Sequence, residues 1–258
     1  MSTIIYWFSG TGNSLYAAKR LASDLGGASL YPMTAAVPSG AVGGSAVGGS
    51  GEKIGFVFPS YFSNLPRIVR SFIEKLDIRD GTYLFGLVTM GGLGLGSVAA
   101  LESALKQKNL RLDYGRGILM PANYVVMYNP ADGAKAGNRL EKINKKISKI
   151  ASRIKTGARS VKKLQFTANN LYKNIEALDS QFSVEDSCTG CAQCAKICPV
   201  SNIVMENKKP RWLHHCEHCV ACISWCPAQA IQYGEKTKAR RRYHNPKIAV
   251  DEMMIGQK

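Results

Sequence analysis

Eight cysteines occupy one stretch of 39 residues and fall into two copies of one pattern. Cys188, Cys191, Cys194 and Cys198 read C-x2-C-x2-C-x3-C and are followed by Pro199. Cys216, Cys219, Cys222 and Cys226 repeat it and are followed by Pro227. Three thiolates two residues apart can wrap one cube of iron and sulfide in a tight loop, while a fourth ligand comes from elsewhere. A disulfide framework fits poorly, because it needs an oxidising compartment and cysteines this close are crowded. Zinc sites use CxxC pairs, but a third cysteine at the same spacing and a following proline do not suit zinc. The spacing therefore predicts metal-ligating cysteines and one-electron chemistry.

Over about residues 183 to 235 the chain resembles the bacterial-type two-cluster ferredoxin family. The resemblance implies two [4Fe–4S] clusters in which the last cysteine of each run serves the other cluster. Cys226 would then complete the set of Cys188, Cys191 and Cys194, and Cys198 the set of Cys216, Cys219 and Cys222. Ile203–Met205 and Ala230–Tyr233 look like that domain's short strands after each Cys-Pro pair.

At the other end of the chain, Thr3 to Phe8 form an apolar, β-rich run, followed at once by Ser9-Gly10-Thr11-Gly12-Asn13-Ser14. Leu15, Ala18, Leu21, Ala22 and Leu25 then recur at helical spacing up to Gly26-Gly27. This is strand, loop, helix. Backbone N–H groups at a helix start, with short hydroxyl and amide side chains, can hold a phosphate. No Lys follows the glycine, so the loop is not of the Walker type, nor is it GxGxxG. It resembles the FMN phosphate loop of flavodoxins, which implies a monophosphate held by hydrogen bonds alone.

Two later segments fall where a flavodoxin would place its ring-binding loops. Lys53 to Phe58 reads as strand three, leading into Pro59-Ser60-Tyr61-Phe62-Ser63-Asn64-Leu65. Thr82 to Thr89 reads as strand four, leading into Met90-Gly91-Gly92-Leu93-Gly94-Leu95-Gly96. In doubly wound folds, ligands lie at the carboxyl ends of the strands near the switch point. Tyr61 and Phe62 could stack on a flavin or pack in a core. Glycines after strand four let backbone approach a ring closely. Gly92 to Gly96 mimics a dinucleotide fingerprint, but it follows a fourth strand and lacks both the third glycine and the acidic residue downstream, so no nicotinamide site is expected.

Together the two ends resemble the flavodoxin–ferredoxin fusion family. The implied fold is α/β, a flavodoxin-like doubly wound parallel sheet of order 2-1-3-4-5, with a C-terminal α+β two-cluster ferredoxin domain. The expected parts are an FMN domain at 1–157, a connecting helix at 158–182, the ferredoxin at 183–235 and a basic tail at 236–258. Pro38 to Gly51 is rich in Gly, Ala and Ser and reads as a flexible loop rather than a second helix.

The chain has 258 residues and a formal charge of +16. Two oxidised clusters and FMN would lower that to about +10. Twelve Lys/Arg and one acid, Glu141, lie between Lys135 and Lys173, and Lys236, Lys238, Arg240, Arg241, Arg242 and Lys247 add six more cations. Leu140, Ile143, Ile147, Ile150 and Ile154 repeat at helical spacing, which fits the last helix of the FMN domain. Val161, Leu164, Ala168, Leu171, Ile175, Leu178 and Phe182 predict a second helix. Much of this charge is a solvated helix face. An almost acid-free run also attracts acidic surfaces, so an acidic redox protein such as a ferredoxin is the expected partner. No nucleic-acid-binding motif accompanies the basic pI. No segment approaches a membrane span, and thiolate clusters without a signal peptide imply a cytoplasmic, anaerobic setting.

His214, His215 and His218 flank the second cysteine run. The ligand set is complete without them, and the plain reading of each is an exposed loop histidine. His218, between two ligand cysteines, could also tune a cluster. The sequence thus points to an electron-transfer protein linking two [4Fe–4S] clusters to FMN, or alternatively to a ferredoxin-fed FMN reductase of a small molecule. No catalytic residue, donor, acceptor or oligomeric state can be named from it.

Overall fold

The computed structural model describes residues 2–34, 46–92, 94, 96–130, 132–163 and 175–254. Strands β1 (Thr3–Trp7), β2 (Ser29–Pro32), β3 (Lys53–Pro59), β4 (Tyr83–Met90), β5 (Tyr114–Leu119) and β6 (Ser160–Val161) form one sheet in the order β2-β1-β3-β4-β5-β6. Every pairing is parallel. The first five strands have the expected order, and the short β6 extends the sheet beyond β5. The interiors of β3 and β4 are buried almost without a break, because a parallel sheet is covered by helices on both faces.

Four helices follow the sheet strands: α1 (Asn13–Asp24), α2 (Arg67–Lys75), α3 (Gly96–Lys106) and α4 (Gly133–Lys155). The seam expected for α4 is the buried one: Leu140, Ile143, Ile147 and Ile154 are all in the core. Tyr16 of α1 donates its hydroxyl hydrogen to Asn144 at 2.8 Å, and Arg20 reaches Ser148 at 3.0 Å, so α1 and α4 are joined along their length. The strand order reverses between β1 and β3. There the two carboxyl ends diverge and open a crevice, the usual place for a ligand in such sheets.

The second predicted helix is corrected where it can be seen. Leu164, Ala168 and Leu171 lie outside the described residues. Val161 is instead in β6, Ile175–Gln181 is a 3-10 helix, and Phe182 opens strand β7 (Phe182–Val184). Phe182 stacks on Trp212 at 5.3 Å, which draws the end of the seam into the cysteine-rich unit. In the Gly-rich segment, 38–45 is outside the described residues. Beyond it Val47 makes a lone parallel bridge to Ile78, and Gly48, Gly49 and Gly51 all turn through positive φ.

The cysteine-rich unit holds α5 (Gln193–Lys196), the hairpin β8 (Ile203–Glu206) and β9 (Lys209–Trp212), α6 (Ala221–Ser224) and β10 (Ile231–Tyr233). β10 pairs antiparallel with β7. Strands follow both Cys-Pro pairs as expected, but the β9 return was not foreseen. The chain then runs back across the sheet unit and ends its described course in α7 (Val250–Met253).

That returning segment is not a free basic tail. Arg240 donates to the carbonyls of Val125 and Val126, both at 2.7 Å. Arg241 donates to Pro130 at 3.2 Å, and Arg242 to Ile231, Thr237 and Gln232. Lys238 pairs with Glu185 and Glu235. Charge alone suggested a docking surface, whereas these guanidinium groups are spent on carbonyl oxygens at a junction.

Candidate functional site

The β1–α1 loop is a tight crossing that a side chain would obstruct. Gly12 has φ +88°, the left-handed region that favours glycine, and a Cβ there would press on Asn245 and Ile248. The Ser9 hydroxyl accepts the Gly12 N–H at 3.0 Å. The Thr11 hydroxyl accepts from the Asn123 amide. Each hydroxyl therefore keeps its own hydrogen for a ligand. Asn13 is held on both sides: one Nδ2–H donates to Pro121 at 3.0 Å, and its Oδ1 accepts from Tyr243 at 2.8 Å and from Asn245 at 3.0 Å, which leaves its second N–H. Its amide holds the loop in shape, and burial pushes the Tyr243 phenol up. The Asn245 N–H also donates to the Thr11 carbonyl at 2.8 Å. The returning chain thus braces the loop from behind.

Above the carboxyl ends of β1, β3 and β4 lies a cavity of about 430 Å³. Ser9, Gly10, Thr11, Asn13 and Ser14 line it, with Pro59, Ser60, Tyr61, Phe62 and Ser63 from the β3 loop and Thr89, Met90, Gly91 and Gly92 from the β4 end. Three expected members stand behind the wall. Gly12 faces the returning chain. Asn64 turns its side chain onto the Leu65 N–H at 2.7 Å and gives its carbonyl to Ser97. Gly94 packs on Ser60, where a Cβ would come within 2.7 Å of the hydroxyl. Leu93 lies outside the described residues. Ser14 is spent on Thr89, hydroxyl to hydroxyl at 2.7 Å.

Tyr61 stands edge-on to Phe8, and Phe62 edge-on to Tyr124 with 6.0 Å between centroids in each case. Phe62 and Ser63 take left-handed φ values of 49° and 62°. Consecutive non-glycine residues in that region are uncommon and mark a loop held by its surroundings. Met120, Pro121, Asn123, Tyr124, Met127 and Tyr128 complete the sheet-side lining, with Met127 left 72% exposed at the rim. The wall that no sequence pattern indicated comes from His218, Cys219 and Val220 of the second cysteine run. Sequence distance hid it, since only the docking of the two units brings residue 219 to residue 10.

His218 is 2% exposed, which corrects its reading as an exposed loop residue; His214 pairs with Asp179 at 2.7 Å and His215 is exposed, as expected. The His218 ring sits among Phe62, Tyr124, Phe182 and Tyr233. Its Nδ1 meets the Tyr124 hydroxyl at 2.9 Å, and its Nε2 has no hydrogen-bond partner among the described residues. Burial depresses its pKa to about 4, so the ring is neutral at neutral pH.

The two cysteine runs share one backbone design, repeated 28 residues on. Gly190 and His218, Ala192 and Val220, and Ser201 and Gln229 are equivalent pairs, and all six have positive φ. Alternating left- and right-handed residues turn N–H groups inward into a concave nest, which suits anionic groups and iron–sulfur sites. The Cys198 sulfur accepts the Asn202 N–H at 3.1 Å and the Cys216 sulfur the His218 N–H at 3.2 Å. Burial raises the Cys222 thiol, and Cys219, Cys216, Cys198 and Cys194 beside it add to the rise; Cys226 and Cys191 act likewise on the buried Cys194. Burial drives Cys216 up to about 12 and Cys194 to about 11. Thiols so placed ionise together only beside a compensating cation, which iron would supply. The donors therefore fit iron–sulfur binding, and Cys198 acts on Cys216 and Cys222 of the second run as Cys226 does on Cys194 of the first. Among the described residues, no three His, Cys, Asp or Glu side chains converge on a point that could hold a single ion.

No protein-family model and no curated protein matches the chain. Solved structures do. A candidate flavoprotein from Bacteroides eggerthii is 22% identical over 45% of this chain and 87% of its own, with a TM-score of 0.34. One from Bacteroides uniformis is 22% identical over 46% of this chain and 90% of its own, at 0.35. An FMN-dependent NADH-azoreductase from Bacillus anthracis, solved with FMN, is 12% identical over 60% of this chain and all of its own, at 0.40. The flavodoxin-like α/β fold rests on the strand order above rather than on these likenesses.

Proposed function

We propose that the chain is an electron-transfer iron–sulfur flavoprotein that binds FMN in the cavity and two [4Fe–4S] clusters on the eight cysteines. One observation carries the reading: the cavity is walled on one side by the three loops expected to hold a flavin and on the other by His218, Cys219 and Val220. Two cofactors within one enclosure can exchange electrons directly. FMN takes one or two electrons and a cluster takes one, so the pair would convert between the two kinds of traffic. Ser9 and Thr11 are the side-chain donors we assign to the phosphate, Tyr61 and Phe62 flank the ring, and Gly91 and Gly92 leave room at its edge. The functional parts are the sheet unit with the returning chain from 240 onward, and the cysteine-rich unit between them. A reducing interior suits such thiolates.

The test is chemical analysis of protein prepared without oxygen. The expected result is about eight irons and eight sulfides per chain, with FMN rather than FAD as the extractable flavin. One zinc per run and no iron after anaerobic reconstitution would overturn the cluster reading, and FAD would overturn the loop assignment.

A second reading has its own support. The cavity is open at the rim beside Asn123, Tyr124, Met127 and Tyr128, with Met127 exposed. A flat acceptor could enter there, making the chain a reductase. Turnover of small electron acceptors by the reduced protein, without any acceptor protein, distinguishes the two.

A further inference from the structure

The two cysteine loops are near copies in backbone, yet their surroundings differ. In the second, Cys216, Cys219 and Cys222 are all buried. In the first, Cys191 is exposed and Cys188 half-buried. The first loop leans on the turn of the β8–β9 hairpin, where a Cβ on Gly190 would lie 2.9 Å from the Lys208 side chain, and meets the second cysteine segment through the Gln193 amide, which donates to the Trp225 carbonyl.

The second loop is locked into the sheet unit from two sides. On one side it touches the phosphate loop backbone to backbone: a Cβ on Gly10 would fall 2.3 Å from the Cys219 carbonyl oxygen. The Trp225 indole closes the same junction by donating to the Gly10 carbonyl at 3.0 Å. On the other side stands the start of α2. Arg67 donates to the Cys216 carbonyl at 2.6 Å, and the Ile68 N–H donates to Glu217 at 3.1 Å. Between these anchors, His218 and Val220 form cavity wall.

We infer that the two cysteine sets form an ordered relay, with the Cys216–Cys222 loop as the flavin-side station and the Cys188–Cys194 loop as the outward station. The inference rests on the function proposed above and adds direction in space to it. A one-electron donor protein of the ferredoxin class meets the outward station at Cys191. Each electron leaves the donor oxidised by one and the outward set reduced by one; passage inward restores the outward set and reduces the inner one. Two such passages, with two protons from solvent, complete the two-electron reduction of a flavin. The crossing cysteines shorten the inward step, because Cys198 follows the outward loop in the chain and serves the inner set.

The test uses the full chain and reads magnetism rather than turnover. A reduced [4Fe–4S] cluster is paramagnetic and speeds the relaxation of nearby nuclei steeply with proximity. The phosphorus of bound FMN sits by the loop that touches Cys219. Phosphorus relaxation is measured before and after dithionite reduction in the wild type, Cys219→Ser and Cys191→Ser. Serine keeps a ligating oxygen but is a harder donor, so the altered cluster stays oxidised and diamagnetic. Reduction shortens the relaxation time several-fold in the wild type and in Cys191→Ser, and leaves it nearly unchanged in Cys219→Ser. Equal shortening in both variants, or its loss only in Cys191→Ser, overturns the order. Iron and flavin contents are taken first. Wild-type protein lacking either cofactor refutes the function itself, which is a separate outcome. Should Cys219→Ser fail to hold iron, Trp225→Phe loosens the junction without removing a ligand, and it lengthens the reduced relaxation time if the order is right and leaves it unchanged if it is wrong.

Discussion

Gly10 has no room for a side chain, and the obstruction is backbone. The Cys219 carbonyl stands 2.3 Å from where a Cβ would be, and the Tyr61 hydroxyl 2.9 Å. Gly92, on the same cavity, has nothing within 4 Å. Gly10→Ala is therefore expected to destabilise the fold by about 1–3 kcal/mol, as overpacked sites do, and to release flavin. Gly92→Ala is expected to change stability by less than about 0.5 kcal/mol. Denaturant melts of both proteins decide it, and equal midpoints would refute the junction. A subtler change is Tyr243→Phe. It removes one of two hydrogen bonds to the Asn13 Oδ1 and leaves the Asn245 one. The expected loss is about 1 kcal/mol, or up to about fivefold in flavin affinity if the loop's shape governs binding. Fluorescence titration of the apoprotein measures it, and an affinity unchanged within error would show that the brace is irrelevant to the ligand.

Among the elements, α2 has an uncommon assignment. Its half-buried opening residues hold the second cysteine loop, through Arg67 and the buried Glu217, whose charged atoms lie 3.3 Å apart. Burial raises the Glu217 carboxyl, while Arg67 and the N–H groups of α2 pull it back down. Breaking such a pair from one side strands the other charge. Glu217→Ala is expected to cost about 3–5 kcal/mol, against near neutrality for a surface carboxylate such as Glu141. Equal unfolding free energies for the two variants would show that the α2 junction carries no load. The elements were largely legible beforehand, and the junctions were not. The seam of α4 and the apolar runs of β3 and β4 are periodic, and period is visible in one dimension. The Gly10–Cys219 crossing, the Arg67–Glu217 pair and the Asn13–Asn245 brace have no period. Each is a single long-range contact set by how two units dock. The same limit explains why Arg240 to Arg242 read as part of a docking surface: a sequence records a guanidinium but not the carbonyls awaiting it. His218 was misjudged likewise, since its burial comes from Phe62, Phe182 and Tyr233 on other elements.

For the molecule as a whole, the surplus of positive charge now has a narrower address. With the tail arginines engaged internally, other cations gather on α4 and the β5–β6 edge, where Arg116 is itself held by Gly115 and Ser160. There Arg116, Lys146, Lys149, Arg153 and Lys162 surround an open groove. Leu119, 44% exposed, is on its rim, and the next residues, Met120 and Pro121, line the cavity above the sheet. An acidic redox partner seated in the groove would exchange electrons at the flavin end, opposite in role to a donor at Cys191. Attraction of this kind acts on association rate and is screened beyond about 8–10 Å at physiological salt. Replacing Lys146 and Lys149 by Glu is expected to slow second-order transfer with an acidic ferredoxin at low salt and to flatten its salt dependence, with iron and flavin contents unchanged. Stopped-flow rates indifferent to both changes would remove the groove from consideration.

The brace behind the phosphate loop also sets a timetable. Asn13 and the Asn245 that supports it are 232 positions apart. A ribosome needs on the order of 10–50 s to cover that distance. Throughout that interval the loop is out on the nascent chain with its backing still unwritten, and both cysteine runs emerge before the backing does. The first feature of the site to be translated is therefore the last to be finished, and a cell that stalls late in the message makes a protein with all its cysteines and an unsupported β1–α1 loop.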